Sequence, residues 1–204
     1  KLQLKKTVRK SPTLGLNLPE KAIVLFDGSN KDEWEGGRID EQTRFLNTDG
    51  SDIQSKRKFS DYYLHLEFML PFRPSARGQG RGNSGLYHVG MYENQILDSF
   101  GSDGIHNECG GIYSIKDSLV NACFPPLTWQ TYDIEFTNAK SLNGKKIKNA
   151  RITSRLNGIV IHENFAIPRK TGGARSDPEG TPGSIKLQGH GNPLQFRNIW
   201  IMEK

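Results

Sequence analysis

The chain has no long apolar run and few cysteines. None of its segments approaches the roughly 18 consecutive apolar residues that a membrane-spanning helix needs, so no membrane span is predicted. Only 2 cysteines, Cys109 and Cys123, occur among the 204 residues. They allow one disulfide that closes the 101–127 loop, or two free thiols, because sequence alone does not set the distance between the sulfur atoms.

Apolar residues are also scarce, at 34% of the chain, although this fraction is above the range of disordered proteins. Turn-forming residues are abundant, since 22 Gly and 10 Pro indicate many turns between short strands. A chain of this length fits one β domain better than two small ones. We therefore predict an N-terminal tail over residues 1–20 and a single β-sandwich domain over residues 21–204.

The chain carries an excess of positive charge, with a net charge of +6. The basic residues concentrate near the amino terminus and in an Asn/Gly-rich loop, where flexible and solvated positions account for them without a phosphate-binding surface. No nucleic-acid partner is therefore predicted. The residues concerned are Lys1, Lys5, Lys6, Arg9, Lys10, Lys140, Lys145, Lys146 and Lys148.

Residues 59–70 show the clearest strand periodicity. Every second residue from Tyr62 to Leu70 is apolar, whereas the residues between them include His65 and Glu67. One side of this strand is therefore predicted to face a second sheet, and the other side is mixed. Glu67 is a candidate for a polar groove, although a solvated strand face accounts for it more simply.

A glycine-rich turn leads into residues 82–98, where carboxylate and amide side chains stand among apolar ones. Residues 80–85 match the dinucleotide fingerprint Gly-x-Gly-x-x-Gly. The pattern that follows is that of a strand, so it provides no helix N-terminus for a pyrophosphate. We interpret these glycines as a turn that permits close backbone approach.

Glu93 and Gln95 are predicted to share one face of that strand, because strand side chains alternate between faces. Asp98 joins them only if one residue is bulged out. The spacing Glu-x-Gln-x-x-Asp resembles the Glu-x-Asp-x-x-Glu strand of laminarinase-type glycosidases, with two substitutions. A retaining hydrolase needs two carboxyls about 5–5.5 Å apart, so Glu93 and Asp98 form a candidate pair only with that bulge.

Two later segments add candidate residues. The loop 99–126 is long enough either to shape a site or to be disordered. It offers Tyr113 as a groove wall, and its histidine, glutamate and cysteine match no strong zinc pattern, so no metal site is predicted. Near the carboxyl end Lys186, Gln188 and His190 point to one side of a strand, and His190 is expected to be exposed at the strand end.

Short motifs also follow one another along the chain in a recognisable order. They are Leu25-Phe26-Asp27-Gly28 with Trp34, Gly82-Asn83-Ser84-Gly85-Leu86, Tyr92-Glu93-x-Gln95-Ile96-Leu97-Asp98, Gly111-Ile112-Tyr113, Trp129-x-Thr131-Tyr132-Asp133, Leu156-Asn157-Gly158, Ile185-x-Leu187-Gln188-x-His190-Gly191 and Phe196-Arg197-Asn198-Ile199. In this order they resemble the 3-keto-disaccharide hydrolase domain family. The resemblance covers nearly the whole chain, and the block around Glu93 is its most specific part.

The resemblance implies an all-β fold, a concanavalin A-like jelly-roll sandwich of two curved antiparallel sheets with the site on the concave sheet. It implies action on glycosides oxidised at carbon 3 and a secreted or periplasmic location. A removed signal peptide or lipoprotein leader is compatible with a sequence that starts at Lys1. The chain departs from the family at Gly189, where members often have Asp.

A ketone at carbon 3 acidifies the hydrogen on carbon 2, so one general base and a stabiliser of the developing oxyanion suffice for cleavage. Glu93 or His190 is the candidate base. Arg197 or a bound divalent cation is the candidate stabiliser. The residues expected to bind sugar hydroxyls are Asn83, Gln95, Tyr113, Gln188 and Glu67.

Two other functions stay open at this point. One is a retaining glycosidase that uses Glu93 and Asp98. The other is a non-catalytic carbohydrate-binding module on the same sandwich. No cofactor is predicted, the expected partner is a carbohydrate, and the sequence does not determine the oligomeric state.

Overall fold

The computed structural model describes residues 7–204, which form a concanavalin-like β-sandwich, so the predicted fold class is confirmed. A 3-10 helix at Gly78–Gly80 precedes β7. The strands are β1 (Ile23–Phe26), β2 (Trp34–Glu35), β3 (Arg38–Ile39), β4 (Leu46–Asn47), β5 (Ile53–Ser55), β6 (Tyr62–Met69), β7 (Ser84–His88), β8 (Tyr92–Ile96), β9 (Trp129–Thr137), β10 (Lys140–Leu142), β11 (Lys145–Lys148), β12 (Ala150–Leu156), β13 (Ile159–Ile167), β14 (Lys186–Leu187) and β15 (Gln195–Glu203).

Two sheets make up the sandwich. The larger one has 8 strands in the order β13-β12-β9-β6-β15-β4-β3, and β1 also pairs with β15. The smaller one has 5 strands in the order β2-β5-β14-β7-β8, whereas β10 and β11 form a separate hairpin. The central strands pair antiparallel in both sheets.

Alternation along β6 decides which side chains fill the core. Every second residue from Tyr62 to Phe68 is fully buried, and β9 turns Tyr132 and Phe136 to the same side. Each large apolar side chain buried in this way contributes roughly 1.5–3 kcal/mol. The predicted dry side of this strand is therefore the side that meets the smaller sheet.

A polar contact also crosses the core. The Tyr62 hydroxyl lies 2.9 Å from Nδ1 of His88, and Nε2 of His88 lies 3.1 Å from Oδ1 of Asn94. Burial lowers the pKa of His88 to about 4, so the ring is neutral at pH 7. Nε2–H then donates to Asn94 while Nδ1 accepts from Tyr62, which satisfies both ring nitrogens and ties the two sheets together.

The other side of β6 is buried as well, although a solvated face was the simpler prediction. His65 and Glu67 are both 0% exposed. The segment 11–16 covers them, because Thr13 donates to Asp133 of β9 at 2.6 Å and the Gly15 N–H donates to Glu67 at 2.6 Å. Part of the predicted N-terminal tail therefore packs on the outer face of the larger sheet.

The turns and ends complete the fold. Asn157 and Gly158 have positive φ angles of 54° and 79° and join β12 to β13, as expected of an Asn-Gly hairpin. Cys109 and Cys123 are buried free thiols. Residues 1–6, with part of the predicted tail and three of its lysines, lie outside the described residues. Within residues 7–204 no helix has the length and apolar character required for a membrane crossing.

Candidate functional site

The candidate site lies on the outer face of the smaller sheet. The register of β14, β7 and β8 places Lys186 opposite Tyr87 and Tyr87 opposite Glu93. Gln95 follows on the same face, opposite Gly85. Because side chains alternate along a strand, all of these residues face away from the core. Glu93 and Gln95 therefore share a face, as the alternation predicted.

Glu93 occupies space that only a glycine leaves free. A Cβ atom on Gly85 would lie 2.1 Å from Oε1 of Glu93, which is far closer than atoms can approach. The carboxyl group thus lies against the backbone of β7, and Glu93 is only 3% exposed. Among residues 7–204 no hydrogen-bond donor reaches Oε1, so this oxygen is available to a ligand.

The other carboxyl oxygen, Oε2, contacts the Tyr87 hydroxyl at 2.9 Å, and that hydroxyl is also 2.8 Å from the carbonyl oxygen of Gly172. A tyrosine hydroxyl has one hydrogen to donate. Both contacts are hydrogen bonds at once only when Glu93 is protonated and donates to the Tyr87 oxygen. Ionisation of Glu93 therefore turns the Tyr87 hydroxyl from Gly172 towards the carboxylate.

Burial raises the pKa of Glu93 to about 7, while the Tyr87 hydrogen bond and the charge of Lys186 act in the opposite direction and limit the rise. Near neutral pH the residue is therefore present in both protonation states. A group that accepts and returns a proton works best with such a pKa. Burial also raises the pKa of Tyr87, so the phenol keeps its hydrogen.

Lys186 holds a positive charge in the site. Its Nζ lies 3.8 Å from the centre of the Tyr87 ring and 3.0 Å from both Oδ2 of Asp52 and the carbonyl oxygen of Gly173. These contacts fix the ammonium group next to the ring that contacts Glu93. The sequence placed Lys186 on the same strand side as Gln188 but assigned it no role, and it did not single out Tyr87 or Asp52 as site residues. The alternation along β14 was a usable signal for Lys186.

Amide residues belong to the same part of the smaller sheet as Glu93. Nε2 of Gln95 donates to Oε1 of Gln79 at 2.9 Å, and Nδ2 of Asn83 donates to the Gln79 carbonyl at 2.9 Å. The Gln188 N–H donates to the carbonyl of Gly85 at 2.9 Å. The structure thus brings three predicted sugar-binding residues, Asn83, Gln95 and Gln188, to the same part of the sheet.

Tyr113 reaches the site from the loop 99–126. Its N–H donates to the main-chain carbonyl of Glu93 at 3.2 Å. Its half-buried ring lies next to Gly172, where an added Cβ would be 3.7 Å away. Tyr113, the predicted groove wall, therefore lies beside Gly172, whose carbonyl oxygen contacts the Tyr87 hydroxyl.

Arg197 and Glu67 lie elsewhere. The register pairs them with each other across β15 and β6 of the larger sheet, with Nε of Arg197 2.7 Å from Oε2 of Glu67. Both face away from the core, on the opposite side of the sandwich from Glu93. This corrects the expectation that Arg197 and Glu93 act in one pocket, because β15 and β8 belong to different sheets.

Asp98 and His190 do not join Glu93 either. Asp98 forms an ion pair with Arg81 at 2.7 Å, and its N–H donates to the Arg81 carbonyl. The charges that act on the pKa of Glu93 are those of Lys186 and Asp52, whereas two carboxyls at the separation of about 5–5.5 Å found in a retaining hydrolase would act on each other. Asp98 is therefore paired with Arg81 and not with Glu93. His190 is exposed after β14, and within residues 7–204 no hydrogen bond links it to Glu93.

Comparison with known families agrees with the motifs. A family model described as "3-keto-alpha-glucoside-1,2-lyase-like domain" matches residues 21–202. This confirms the resemblance drawn from the sequence. No curated protein sequence matches the chain.

Solved structures with the same fold come from Parabacteroides distasonis, and each is called a "putative glycosyl hydrolase". One is 34% identical, with a TM-score of 0.84 and coverage of 91% of this chain and 85% of that chain. A second is 18% identical, with a TM-score of 0.68 and coverage of 91% and 94%. A third is 22% identical, with a TM-score of 0.63 and coverage of 91% and 100%. The second and third are distant enough to show the fold alone.

Proposed function

This chain belongs to the 3-keto-alpha-glucoside-1,2-lyase-like domain family, and we propose that it cleaves glycosides that carry a ketone at carbon 3. The observation that carries the proposal is Glu93, a buried carboxyl whose pKa is raised to about 7 and whose Oε1 is open to a ligand. A single group of this kind meets the needs of a reaction that begins with removal of an acidified hydrogen.

In the proposed reaction Glu93 removes the proton from carbon 2. The electron pair of the broken C–H bond moves towards the carbon 3 ketone and forms an enolate. When the enolate collapses, the ketone re-forms, a double bond forms between carbons 1 and 2, and the bond from carbon 1 to the leaving oxygen breaks. Protonated Glu93 can return its proton to that oxygen, and addition of water to the enone would complete a net hydrolysis.

Lys186 is the group best placed to stabilise the enolate oxygen. Its ammonium group is fixed by Asp52, Gly173 and the Tyr87 ring, so it needs little rearrangement when negative charge develops. This role replaces the one that the sequence suggested for Arg197. Gln95, Gln188 and Asn83 would orient the sugar through its hydroxyl groups.

The base is assigned to Glu93 rather than to His190 on the grounds of position. Glu93 is buried on the sheet face, whereas His190 is exposed on the segment that follows β14. A base shielded from water, with its pKa raised towards the working pH, is the better candidate for removing a hydrogen from carbon.

The test is turnover of a 3-keto-glucoside in deuterated water by the wild type, Glu93→Gln and Glu35→Gln. Glu35 is an exposed carboxylate on the same sheet face, so its variant is the matched control. We expect Glu93→Gln to lower kcat/KM about a thousandfold, and Glu35→Gln to leave it unchanged. The wild type should also place deuterium at carbon 2 of the hydrated product, because the water that adds to the enone supplies that hydrogen.

Equal turnover by wild type and Glu93→Gln would remove Glu93 from the mechanism. Release of the free 3-keto-sugar without deuterium at carbon 2 would rule out the elimination, because hydration of the enone takes the new carbon 2 hydrogen from the solvent. Saturable binding of the keto-sugar without any turnover by the wild type would identify a carbohydrate-binding domain instead of an enzyme.

A further inference from the structure

A cavity of about 430 Å³ lies on the outer face of the larger sheet, on the opposite side of the sandwich from Glu93. Its lining includes Arg197 and Glu67, which the sequence singled out and the proposed reaction does not use. We infer that this cavity is a second saccharide site, one that binds a neutral sugar. The cavity lies within the range of roughly 300–1,000 Å³ typical of small-molecule sites.

A bulge in β15 builds the floor of the cavity. Arg197 pairs with Glu67, but the register shifts before Trp200, which pairs with His65. The shift inserts one extra residue into β15 between Arg197 and Trp200. Asn198 lies in this bulge and adopts the left-handed region, with φ of 44°. Without the shift Asn198 would point into the core, whereas with it Asn198 donates to Glu67 at 3.0 Å on the outer face. Bulges often lie next to binding sites, where they redirect a side chain.

The guanidinium group of Arg197 is fixed but only partly used. Its Nε donates to Glu67 at 2.7 Å, and its carbon atom Cζ lies 3.9 Å from the centre of the Trp129 ring. Of the five N–H donors of an arginine, the others are on Nη1 and Nη2. Among residues 7–204 no acceptor contacts these Nη1 and Nη2 donors. The side chain is 33% exposed, so a ligand can reach them. Such a fork matches two neighbouring oxygen atoms of a ligand.

The charges that line the cavity balance, which favours hydroxyl oxygens over an anion. Arg197 is paired with Glu67. Arg44 donates to the main-chain carbonyls of Gly28 and Ser29 at 3.0 and 2.6 Å, and Asp27 lines the same cavity. Two guanidinium groups thus stand against two carboxylates, so an anion would gain little net attraction.

The walls suit the apolar side of a sugar ring. Phe45 lines the cavity and packs edge-on against Trp129 with ring centres 4.8 Å apart. Leu16 and Leu18 also line the cavity and are 38% and 48% exposed. A small number of oriented polar groups between apolar walls is the usual composition of a small-molecule site.

The test is a titration of the protein with cellobiose, followed by the backbone amide NMR signals. Glucuronate and inorganic phosphate serve as anionic probes. We expect cellobiose to cause saturable shifts at Gly15 and Asn198 in both the wild type and Glu93→Gln. Asn17→Trp, which fills the cavity from an exposed position without touching Glu67, should weaken this binding at least about tenfold.

Arg197→Met should also weaken cellobiose binding about tenfold. Arg155→Met is the matched control, because Arg155 belongs to the same sheet face on β12. The inference is overturned if cellobiose shifts only the amide signals around Gly85 and Gly173, which report the Glu93 site. It is also overturned if Asn17→Trp binds cellobiose as tightly as the wild type does, or if no amide shift saturates. Tighter binding of glucuronate or phosphate than of cellobiose would also overturn it, since that result would identify an anion site.

Discussion

The two outer faces of this sandwich each bury one glutamate, and the two glutamates have opposite acidities. Glu93 on the smaller sheet is 3% exposed, and burial raises its pKa to about 7. Glu67 on the larger sheet is 0% exposed, yet its pKa is lowered to about 2, because hydrogen bonds outweigh the effect of burial. Burial is thus common to both residues and cannot by itself explain a catalytic role.

The difference lies in the donors around each carboxyl group. Glu67 accepts from Arg197, Asn198 and the Gly15 N–H, and His65 lies 3.6 Å away. These donors stabilise the ionised form. Glu93 has only the shared Tyr87 hydroxyl among the described residues. A carboxylate with a donor on each oxygen is held in its ionised form, whereas one with an open oxygen can accept a proton.

Glu67→Gln should give the largest loss of stability. The variant leaves Arg197 without its carboxylate partner, and it leaves His65 with Asp133 alone. It also turns an amide group towards other donors. Breaking a buried ion pair in this way costs about 3–5 kcal/mol, and for a domain of this size each kcal/mol lowers Tm by roughly 2–4 °C. Thermal unfolding at neutral pH measures the effect.

Glu135→Gln provides the control for this variant, since Glu135 is 52% exposed on the adjacent strand β9. Its Tm should stay within a few degrees of the wild type. If Glu67→Gln unfolds at the same temperature as Glu135→Gln, the network around Glu67 does not stabilise the fold, and the contrast with Glu93 disappears.

Glu93→Gln should have the opposite effect and stabilise the protein at high pH. Because the folded-state pKa is raised from 4.5 to about 7, the stability present below pH 4.5 is lost as the pH rises through 7. A glutamine mimics the protonated acid and avoids that loss, which is on the order of 3 kcal/mol. The Tm of the variant should therefore exceed that of the wild type at about pH 8 but not at about pH 4. Equal values at both pH values would contradict the raised pKa.

Glu67 provides the reference for the pH dependence as well. Its stabilising effect is present above pH 4.5 and is lost as the pH falls towards 2, because its folded-state pKa is lowered. The free energy of unfolding of the wild type is therefore expected to decline at both ends of the pH range. Protonation of Glu67 lowers it in acid, and ionisation of Glu93 lowers it above pH 4.5.

The faces of the strands could be predicted from the sequence, because alternation depends only on neighbouring residues. The order of residues alone places Glu93 with Gln95 and Lys186 with Gln188. Pairing across the sheet could not be predicted in the same way. That Tyr87 stands between Lys186 and Glu93 depends on strand order, since β14 and β7 are far apart in the chain.

The positions of Arg197 and Glu67 could not be predicted from local patterns. Whether a polar strand face is solvated depends on what covers it, and the cover here is the segment 11–16, which was expected to be a tail. The bulge at Asn198 also shifts every later side chain of β15, and no residue pattern marks it. The motif that contains Arg197 was therefore detected correctly but assigned to the wrong face.

Tyr87→Phe should produce the smallest change and shows which proton arrangement surrounds Glu93. When Glu93 is ionised, the Tyr87 hydroxyl donates to it, and hydrogen bonds to charged groups are worth about 1.5–3 kcal/mol. When Glu93 is protonated, the same hydroxyl contacts Gly172 and receives a hydrogen from Glu93, which partly offsets the difference. The phenylalanine variant should therefore raise the pKa of Glu93 further, by less than about one unit.

Titration of the Glu93 carboxyl carbon by NMR measures this pKa directly. Tyr63→Phe is the control, because Tyr63 donates to Asp133 on the opposite face. A lowered pKa in Tyr87→Phe would mean that the protonated arrangement is the more strongly bonded one and that Glu93 rests as an acid.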